Sequence, residues 1–412
     1  MKIAIVGGGI GGLSLALALH QRGLACDVYE TVPEVKELGV GITLLPHAMR
    51  ELAALGLQAP IEAVGIENEE SVFFNRFGQF IYKEPRGRHA GYDLPEIGIP
   101  RGKLHRLLYE AALERLGAAA IHTDHRCTGV DQDDSGAAVH FMQTSSGTAL
   151  PGVRADVVIA CDGVNSAVRR QFYPDEKLAF AGINTWRGVT RHQPILTGKS
   201  YMRIGAIDTG KMVIYPIVDQ LDGEGHQLIN WVAEIQQSNA AMNDWNREGD
   251  RKDFLDIFKD WRFPWLDVAA LIANAEQILE YPMVDKDPVP QWTFGRVTLL
   301  GDAAHPMYPR GSNGSAQALI DGRTLAEQLA AAGGDGRAAL LAYEKLRLAP
   351  TANIVLTNRS VPPDFINIKV DELSGGKPFA NIDDLISQQA LREISDHYKK
   401  VAGFSLEAAR AG

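Results

Sequence analysis

Residues Ile3–Val6 form an unbroken apolar run, the pattern of a strand buried on both faces. A cluster with five glycines, Gly7–Gly12, separates it from Leu13, Leu15, Ala16, Leu17 and Leu19, a helix-forming run that ends near Gly23. Cys26–Tyr29 reads as a second strand and stops at the acidic Glu30. The pattern predicts a strand in Gly39–Leu45, a helix from about Pro46 to Leu55, and an amphipathic helix opening within Ile99–Leu108 and running to about Leu116. Val72–Phe74 and Phe80–Tyr82 flank Phe77-Gly78 as a hairpin, and Glu84–Tyr92 is polar enough to read as a mobile loop. Two further alternating strands lie between Ile121 and Phe141, about the turn Asp133–Gly136. Ala155–Ala160 and Arg296–Leu300 are again buried strands, the latter followed by a helix from about Ser315 to Ala332.

Between these two strands the period changes. Gly182–Thr190, Ser200–Ile204, Met212–Val218 and Leu228–Ile235 are strand-like and imply a mostly antiparallel sheet inserted into the first domain. Asp250–Asn274 reads as helical, with Trp261 and Trp265 in the core. The C-terminal part reads as helices over Arg337–Leu348, from Pro350 through Asn358, and from Ile382 to Ala409. The expected fold is α/β: a Rossmann-like domain with a parallel sheet, an inserted mostly antiparallel β-sheet substrate domain, and C-terminal helices. The expected boundaries are 1–177 with 281–363 for the first, 178–280 (receiving the hairpin near 70–100) for the second, and 364–412 for a helical tail.

Composition narrows the partners rather than the fold. A net charge of −10 over 412 residues argues against nucleic acid or an anionic membrane. No apolar run reaches the length of a bilayer span, and the start of the chain lacks the pattern of a signal peptide. Cys26, Cys127 and Cys161 are odd in number and far apart, which fits a reducing cytoplasm and no metal-ligand spacing.

The candidate chemistry begins at the first turn. Gly7, Gly9 and Gly12 have the G-x-G-x-x-G spacing between a strand and a helix. Gly7 permits the tight turn, Gly9 lets the backbone approach a pyrophosphate, and Gly12 lets helix and strand pack closely. The helix N-terminus offers free N–H groups to phosphate, and Glu30 is placed to accept from ribose hydroxyls. Asp162 follows the strand at Ala155–Ala160 and either fixes its loop as a cap or faces a ligand; Asn165 and Ser166 are both possible helix caps. Gly301-Asp302 repeats the strand-end arrangement ahead of the helix at Ser315.

Three motifs in this order, GGGIGG at 7–12, CDGVNSAVR at 161–169 and GDAAHPMYPRGSNGSAQALIDG at 301–322, resemble the flavin-dependent aromatic hydroxylases of the p-hydroxybenzoate hydroxylase fold. The runs LHQRGLACDVYE, TWRGVT and YPMVDKDP are most similar to the phenazine hydroxylase branch. The resemblance covers residues 1 to about 360. It implies FAD, with Glu30 on the adenosine ribose, Arg101 on the diphosphate or ribose side, and Asp302 at the ribityl or pyrophosphate region. Pro309, Gly311, Gly314 and Ser315 would line the isoalloxazine, and Asp162 and Arg169 belong to a motif linked to both FAD and NAD(P)H. His305 lies in the FAD loop and reads as structural. Arg310 stands where many relatives have a neutral residue and either binds an anionic substrate or reaches solvent.

The activity implied is hydroxylation of an electron-rich aromatic or N-heteroaromatic small molecule with NAD(P)H and O2, through a flavin C4a-hydroperoxide, with or without decarboxylation. No second G-x-G-x-x-G is present, so NADH and NADPH remain equally compatible with the sequence. Substrate contacts are expected from the second sheet: Arg187, Met202, Tyr215 and Trp231, together with Arg310. His226 or Tyr215 is the candidate base and Arg187 the candidate catalytic cation. The W-x-W-x-I-P signature of flavin halogenases is absent. A reductase that inserts no oxygen and a non-catalytic FAD-binding protein are the alternatives, and the chain is compatible with a monomer or a homodimer.

Overall fold

The computed structural model describes every residue except 36–39, 238–247, 361–364, 402–404 and 408–412. Gly39 of the expected strand, the expected boundary at 363/364, and Ala409 lie outside the described residues.

Five short apolar runs assemble as a parallel sheet in the order Val297–Leu299, Val157–Ala160, Ile3–Val6, Cys26–Tyr29 and Ile121–His122, and antiparallel Thr293–Phe294 closes one edge. Ile3, Ala4 and Ile5 are fully buried, because a parallel sheet is covered on both faces. Helices Ile10–Gln21, Arg101–Leu116 and Gly314–Ala331 share one core with this sheet. So does a three-stranded meander, His125–Asp133, Gly136–Gln143 and Ala149–Ala155. The strand ends at Val6, Tyr29, Ala160 and Leu299 therefore gather Gly7, Glu30, Asp162 and Asp302 along one edge, where open α/β sheets bind ligands.

The second sheet has seven strands in the order Ile278–Asp285, Ala179–His192, Gln227–Gln236, Gly210–Val218, Ser200–Ala206, Glu70–Phe74 and Phe80–Pro85. All neighbours are antiparallel except Ser200–Ala206 with Glu70–Phe74. Its alternation sorts side chains to two faces. Trp186, Met202, Ile214 and Trp231 pack on one face against Phe254, Phe258 and Leu271. Tyr201, Val213, Tyr215 and Ile217 lie on the other. A small sheet of Gly41–Leu44, Ile97–Pro100 and Ile66–Glu67 meets that second face. There Gly41 N–H donates to Asn230 Oδ1 at 2.7 Å, and a Cβ on Gly41 would collide with Ile217.

Four expectations need correction. Asp250–Asn274 is not one helix: Leu255–Phe258 and Val268–Ala273 are short helices separated by the two-stranded Arg262–Phe263 and Leu266–Asp267, because Pro264 interrupts the helical period. The polar stretch after Glu84 is held, not loose, since buried Arg86 pairs with Glu96 at 2.8 Å and with Glu84 at 3.5 Å. Helix Gly336–Ser360 runs through Pro350 without a restart. Within the expected helical tail, Phe365–Ser374 is a helix to which the pattern gave no bounds, and the last long helix begins at Gln388 rather than at Ile382.

Candidate functional site

The first turn is built as a close approach. Gly7 has φ +103°, and a side chain there would strike the Cys161 carbonyl, while a Cβ on Gly12 would strike the Gly7 carbonyl. Gly9 precedes helix Ile10–Gln21 without a side-chain cap, and nothing lies within 4 Å of where its Cβ would be. The helix start thus has no side-chain cap and open space beside Gly9. Glu30 closes the second strand: its Oε2 accepts from Gly8 N–H at 2.6 Å and its Oε1 from Val32 N–H at 2.9 Å. His105 Nε2 lies 2.6 Å from the Gly8 carbonyl and pins the same turn. Sequence reasoning did not single out His105. The missed signal is its position one turn after Arg101 on the helix beside the glycine loop.

Asp162 accepts from Ala167 N–H at 2.8 Å through Oδ2, which is the capping role. Its Oδ1 is buried with no hydrogen-bond partner among the described residues, and burial raises its pKa. A carboxylate left half-satisfied at the sheet edge is an expected mark of a ligand site. Arg169 is different. Its side chain is completely buried, Nη1 donates to the carbonyls of Ala303 and Ala304 at 3.0 and 2.5 Å, and Nε donates to Glu176 at 2.8 Å. It clamps the Gly301–Ala303 turn rather than presenting its charge to a cofactor, which corrects the role carried over from the motif. Asp302 is exposed at that turn, and Arg101 stands exposed at the first position of its helix.

The long loop after His305 is shaped by two left-handed residues, Gly311 at φ +73° and Ser312 at φ +54°. Pro309 is exposed, and Gly314 and Ser315 open the helix Gly314–Ala331. Behind the loop, His305 Nε2 meets Asp321 Oδ2 at 2.5 Å, and Asp321 Oδ1 accepts from Arg347 Nε at 2.6 Å. His305 is therefore buried and held through Nε2 by Asp321. His47, which the sequence did not single out, lies 2.9 Å from Asn313 Oδ1 and is buried.

On the second sheet, the candidate substrate residues separate by face. Arg187 and Tyr215 are on the face that meets the small sheet; Met202 and Trp231 are on the opposite face. Met202 is 1% and Trp231 0% exposed, and Trp231 Nε1 donates to Thr190 Oγ1 at 3.0 Å, so both are core residues and not substrate contacts. His226 sits in the loop ahead of Gln227–Gln236, 3.0 Å from Asp222 Oδ2 and beside Arg191, and none of the residues gathered above is among its partners. It is not placed as a base. Tyr215 is buried and stacked on Tyr201 with ring centroids 5.0 Å apart; burial and the neighbouring Tyr201 push its pKa well above the ordinary value. Burial thus favours the protonated form of the Tyr215 hydroxyl. The Arg187 guanidinium lies 5.3 Å over the Tyr281 ring, and its Nε is buried without a partner. Burial lowers its pKa, against the opposing effect of Tyr215 and Glu234. No carboxylate pairs with it among the described residues. Arg310, in the loop, is partly buried and also has an unpartnered Nε.

The fold and this edge define a flavoprotein oxidoreductase: an uncapped helix N-terminus, a glycine turn with no room for side chains, and an orphaned carboxylate oxygen fit FAD. The chain belongs to the FAD-binding-domain family, whose model matches residues 1–236 and 271–358. It is 41% identical over 362 residues to the phenazine 1,6-dicarboxylic acid hydroxylase PhzS of Lysobacter antibioticus, covering 87% of this chain and 89% of that one. The 3-hydroxybenzoate 6-hydroxylase of Polaromonas naphthalenivorans is 30% identical over 374 residues, 88% of this chain and 87% of that one. Among solved structures, Klebsiella pneumoniae HpxO in complex with FAD and uric acid superposes with a TM-score of 0.74 at 23% identity, covering 100% of this chain and 97% of that one. The chain is accordingly an FAD-dependent aromatic monooxygenase. Among the described residues, no helix is long and apolar enough to cross a membrane.

Proposed function

We propose that the chain hydroxylates an aromatic or N-heteroaromatic carboxylic acid, using NAD(P)H and O2, and that Arg187 holds the substrate carboxylate. The observation that carries this is the Arg187 guanidinium itself, partly buried, with an unpartnered Nε and, among the described residues, no paired acid. A buried cation without a counter-charge is costly, and an incoming carboxylate offsets that cost with charge-assisted hydrogen bonds. Tyr281 offers its ring to the same guanidinium, and the Tyr201–Tyr215 stack supplies a flat aromatic wall on the same face. Names of the relatives above include a dicarboxylic acid and a hydroxybenzoate, which fits an anionic arene.

Bound FAD supplies the hydride acceptor and the oxygen-activating centre. Gly7, Gly9 and Gly12 would bind its diphosphate side, Glu30 and Arg101 its adenosine end, and Asp162 and Asp302 the stretch between. Gly311, Gly314 and Ser315 would hold the ring system, with Pro309 flanking it. The face carrying Arg187 and Tyr215 orients the substrate and excludes water, which otherwise diverts reduced oxygen to hydrogen peroxide. The Tyr215 hydroxyl, which burial keeps in its protonated form, would orient the substrate through a hydrogen bond. We propose the division 1–177 with 281–363, 178–280 and 364–412 as the working domain scheme for this activity.

The test follows NAD(P)H oxidation, oxygen uptake and product mass together with a panel of benzoates, pyridine carboxylates and phenazine carboxylates, and with the same rings lacking the acid. The expected result is faster NAD(P)H oxidation with the acids and a product heavier by one oxygen atom, with loss of carbon dioxide recorded where it occurs. Arg187→Gln should raise KM for the acid by about 10- to 100-fold, the loss of one charge-assisted contact. Equal turnover of acids and neutral rings, or an unchanged KM in Arg187→Gln, would sink the carboxylate assignment.

A further inference from the structure

The strand register places three charged side chains on the Arg187 face of the second sheet. Lys211 is paired directly with Glu234, and Glu234 directly with Thr185, two residues before Arg187. Residues two apart on a strand share a face, so Glu234 and Arg187 are diagonal neighbours across one strand pair. Such neighbours lie about 7–8 Å apart, within reach of long side chains. Glu234 also acts electrostatically on Arg187. Yet the glutamate is bonded on its other side, where Lys211 Nζ donates to Glu234 Oε2 at 2.9 Å. Both residues of this pair are buried. Among the described residues, Lys211 is the only hydrogen-bond partner of the Glu234 carboxylate.

Stability does not account for this pair. A buried ion pair is often no better than apolar side chains of the same volume, and the next pair along the same two strands is Val213 with Val232. What the pair does decide is which cation Glu234 serves. With Lys211 in place the two charges cancel, and the Arg187 Nε is left without a partner. Without Lys211 the Glu234 carboxylate would be buried with no partner, which is costly, and Arg187 on the neighbouring strand has the donor to receive it.

We propose that Lys211 is a positioning residue for the substrate: by holding Glu234 and neutralising it, Lys211 keeps Arg187 open to the carboxylate of the aromatic acid. The inference rests on Arg187 binding that carboxylate, as argued above. Glu234 carries the same functional group as the substrate and is tethered beside Arg187, so once released it competes at a high effective concentration. Lys211 acts through Glu234 and Arg187 and need not touch the substrate.

The experiment measures dissociation constants for the FAD-loaded protein from the change in flavin absorbance. The probes are benzoate, nicotinate and phenazine-1-carboxylate, each beside its neutral carboxamide. Lys211→Met is expected to weaken binding of the acid by about tenfold and to leave the carboxamide within about twofold, because only the charge-assisted contact to Arg187 is lost. Lys211→Arg keeps the positive charge and should keep the acid. Glu234→Gln added to Lys211→Met removes the competitor and should restore the acid, and Arg187→Gln added to Lys211→Met should weaken it little further, since Arg187 is already occupied. Lys211→Gln leaves Glu234 a donor but no counter-charge and should weaken the acid by about threefold, which keeps the test decisive if the methionine variant does not fold. Unchanged acid binding in Lys211→Met and Lys211→Gln, equal losses for acid and carboxamide, or a loss that Glu234→Gln does not reverse overturns the proposal, while a selective loss of the acid in Arg187→Gln still upholds the carboxylate assignment. Arg187→Gln without that selective loss overturns both.

Discussion

The hydroxyl of Tyr398 occupies the space in front of Gly311 that any larger residue at that position would need. Gly311 also has φ +73°, so both its backbone and its surroundings demand glycine. Tyr398 comes from the last long helix, Gln388–Val401, and packs against Leu45, which precedes helix Pro46–Ala54. The same helix is tied to the second sheet by Lys399 Nζ to Glu84 Oε2 at 2.8 Å and Ser395 Oγ to Glu84 Oε2 at 2.7 Å. One C-terminal helix therefore joins the cofactor loop to the edge of the substrate sheet.

Gly311→Ala is expected to destabilise the protein by ~1–3 kcal/mol and to weaken FAD binding, since the added methyl displaces Tyr398 and the backbone is strained. Tyr398→Phe in the Gly311→Ala background removes the hydroxyl and should recover part of the loss, because contacting residues do not act additively. Urea unfolding and FAD titration of the two single variants and the double variant check this. Losses that simply add would show that the two residues are not coupled.

His47 carries a pH signature of its own. Its pKa is lowered from 6.5 to about 4 in the folded protein, chiefly by burial, with the Asn313 hydrogen bond opposing and Arg50 assisting. Between these values the unfolded chain binds a proton that the folded chain refuses. Stability therefore rises with pH across this window and falls as the pH drops from 6.5 towards 4, by ~1.4 kcal/mol per unit and ~3 kcal/mol in all. His47→Gln should flatten that part of the stability profile without changing it above pH 7. The profile is measured by urea unfolding at a series of pH values, and an equal slope in both proteins would refute the assignment to His47.

The sheet edge with Gly7, Gly9, Gly12, Glu30 and Asp162 was legible because each is a backbone-driven feature repeated at strand ends, where apolar runs and glycines fix position. The strands of the second sheet were legible for the same reason, since their alternation survives in sequence. What alternation does not report is which face meets the cofactor domain. Met202 and Trp231 look like ligands in a one-dimensional reading and turn out to be core, because helices Leu255–Phe258 and Val268–Ala273 cover that face. Arg169 sits in a cofactor-linked motif, yet its partners Ala303 and Glu176 lie far along the chain or after its own helix, so its clamp role was invisible. His47 and Asn313 are separated by 266 residues, and only the fold brings them together.

Arg169 offers a direct contrast between the clamp and a nicotinamide-binding role. Arg169→Gln breaks a buried pair with Glu176 and frees the carbonyls of Ala303 and Ala304. The expected cost is ~3–5 kcal/mol, moderated by Lys286, which also pairs with Glu176 at 2.9 Å. FAD should be lost more readily, since the Gly301–Ala303 turn is released. For protein that retains FAD, KM for NAD(P)H should be unchanged, and a large rise in that KM with normal stability would restore the motif-derived role.

The two faces of the second sheet make the sharpest prediction for substrate recognition. Trp231 and Arg187 lie on neighbouring antiparallel strands, where Gly188 is paired with Trp231 and leaves no room for a side chain beneath its ring. Trp231→Phe removes the bond to Thr190 and part of the packed volume, so it should destabilise by ~1–3 kcal/mol. It touches nothing on the Arg187 face, so KM for the aromatic acid and the fraction of NAD(P)H coupled to product should stay near wild type. Arg187→Gln should do the reverse, raising KM and leaving thermal stability unchanged or improved, because an unpaired buried charge is removed. Steady-state kinetics and thermal unfolding of both variants separate the outcomes. A KM effect in Trp231→Phe of the size seen in Arg187→Gln would place the substrate on the other face of the sheet.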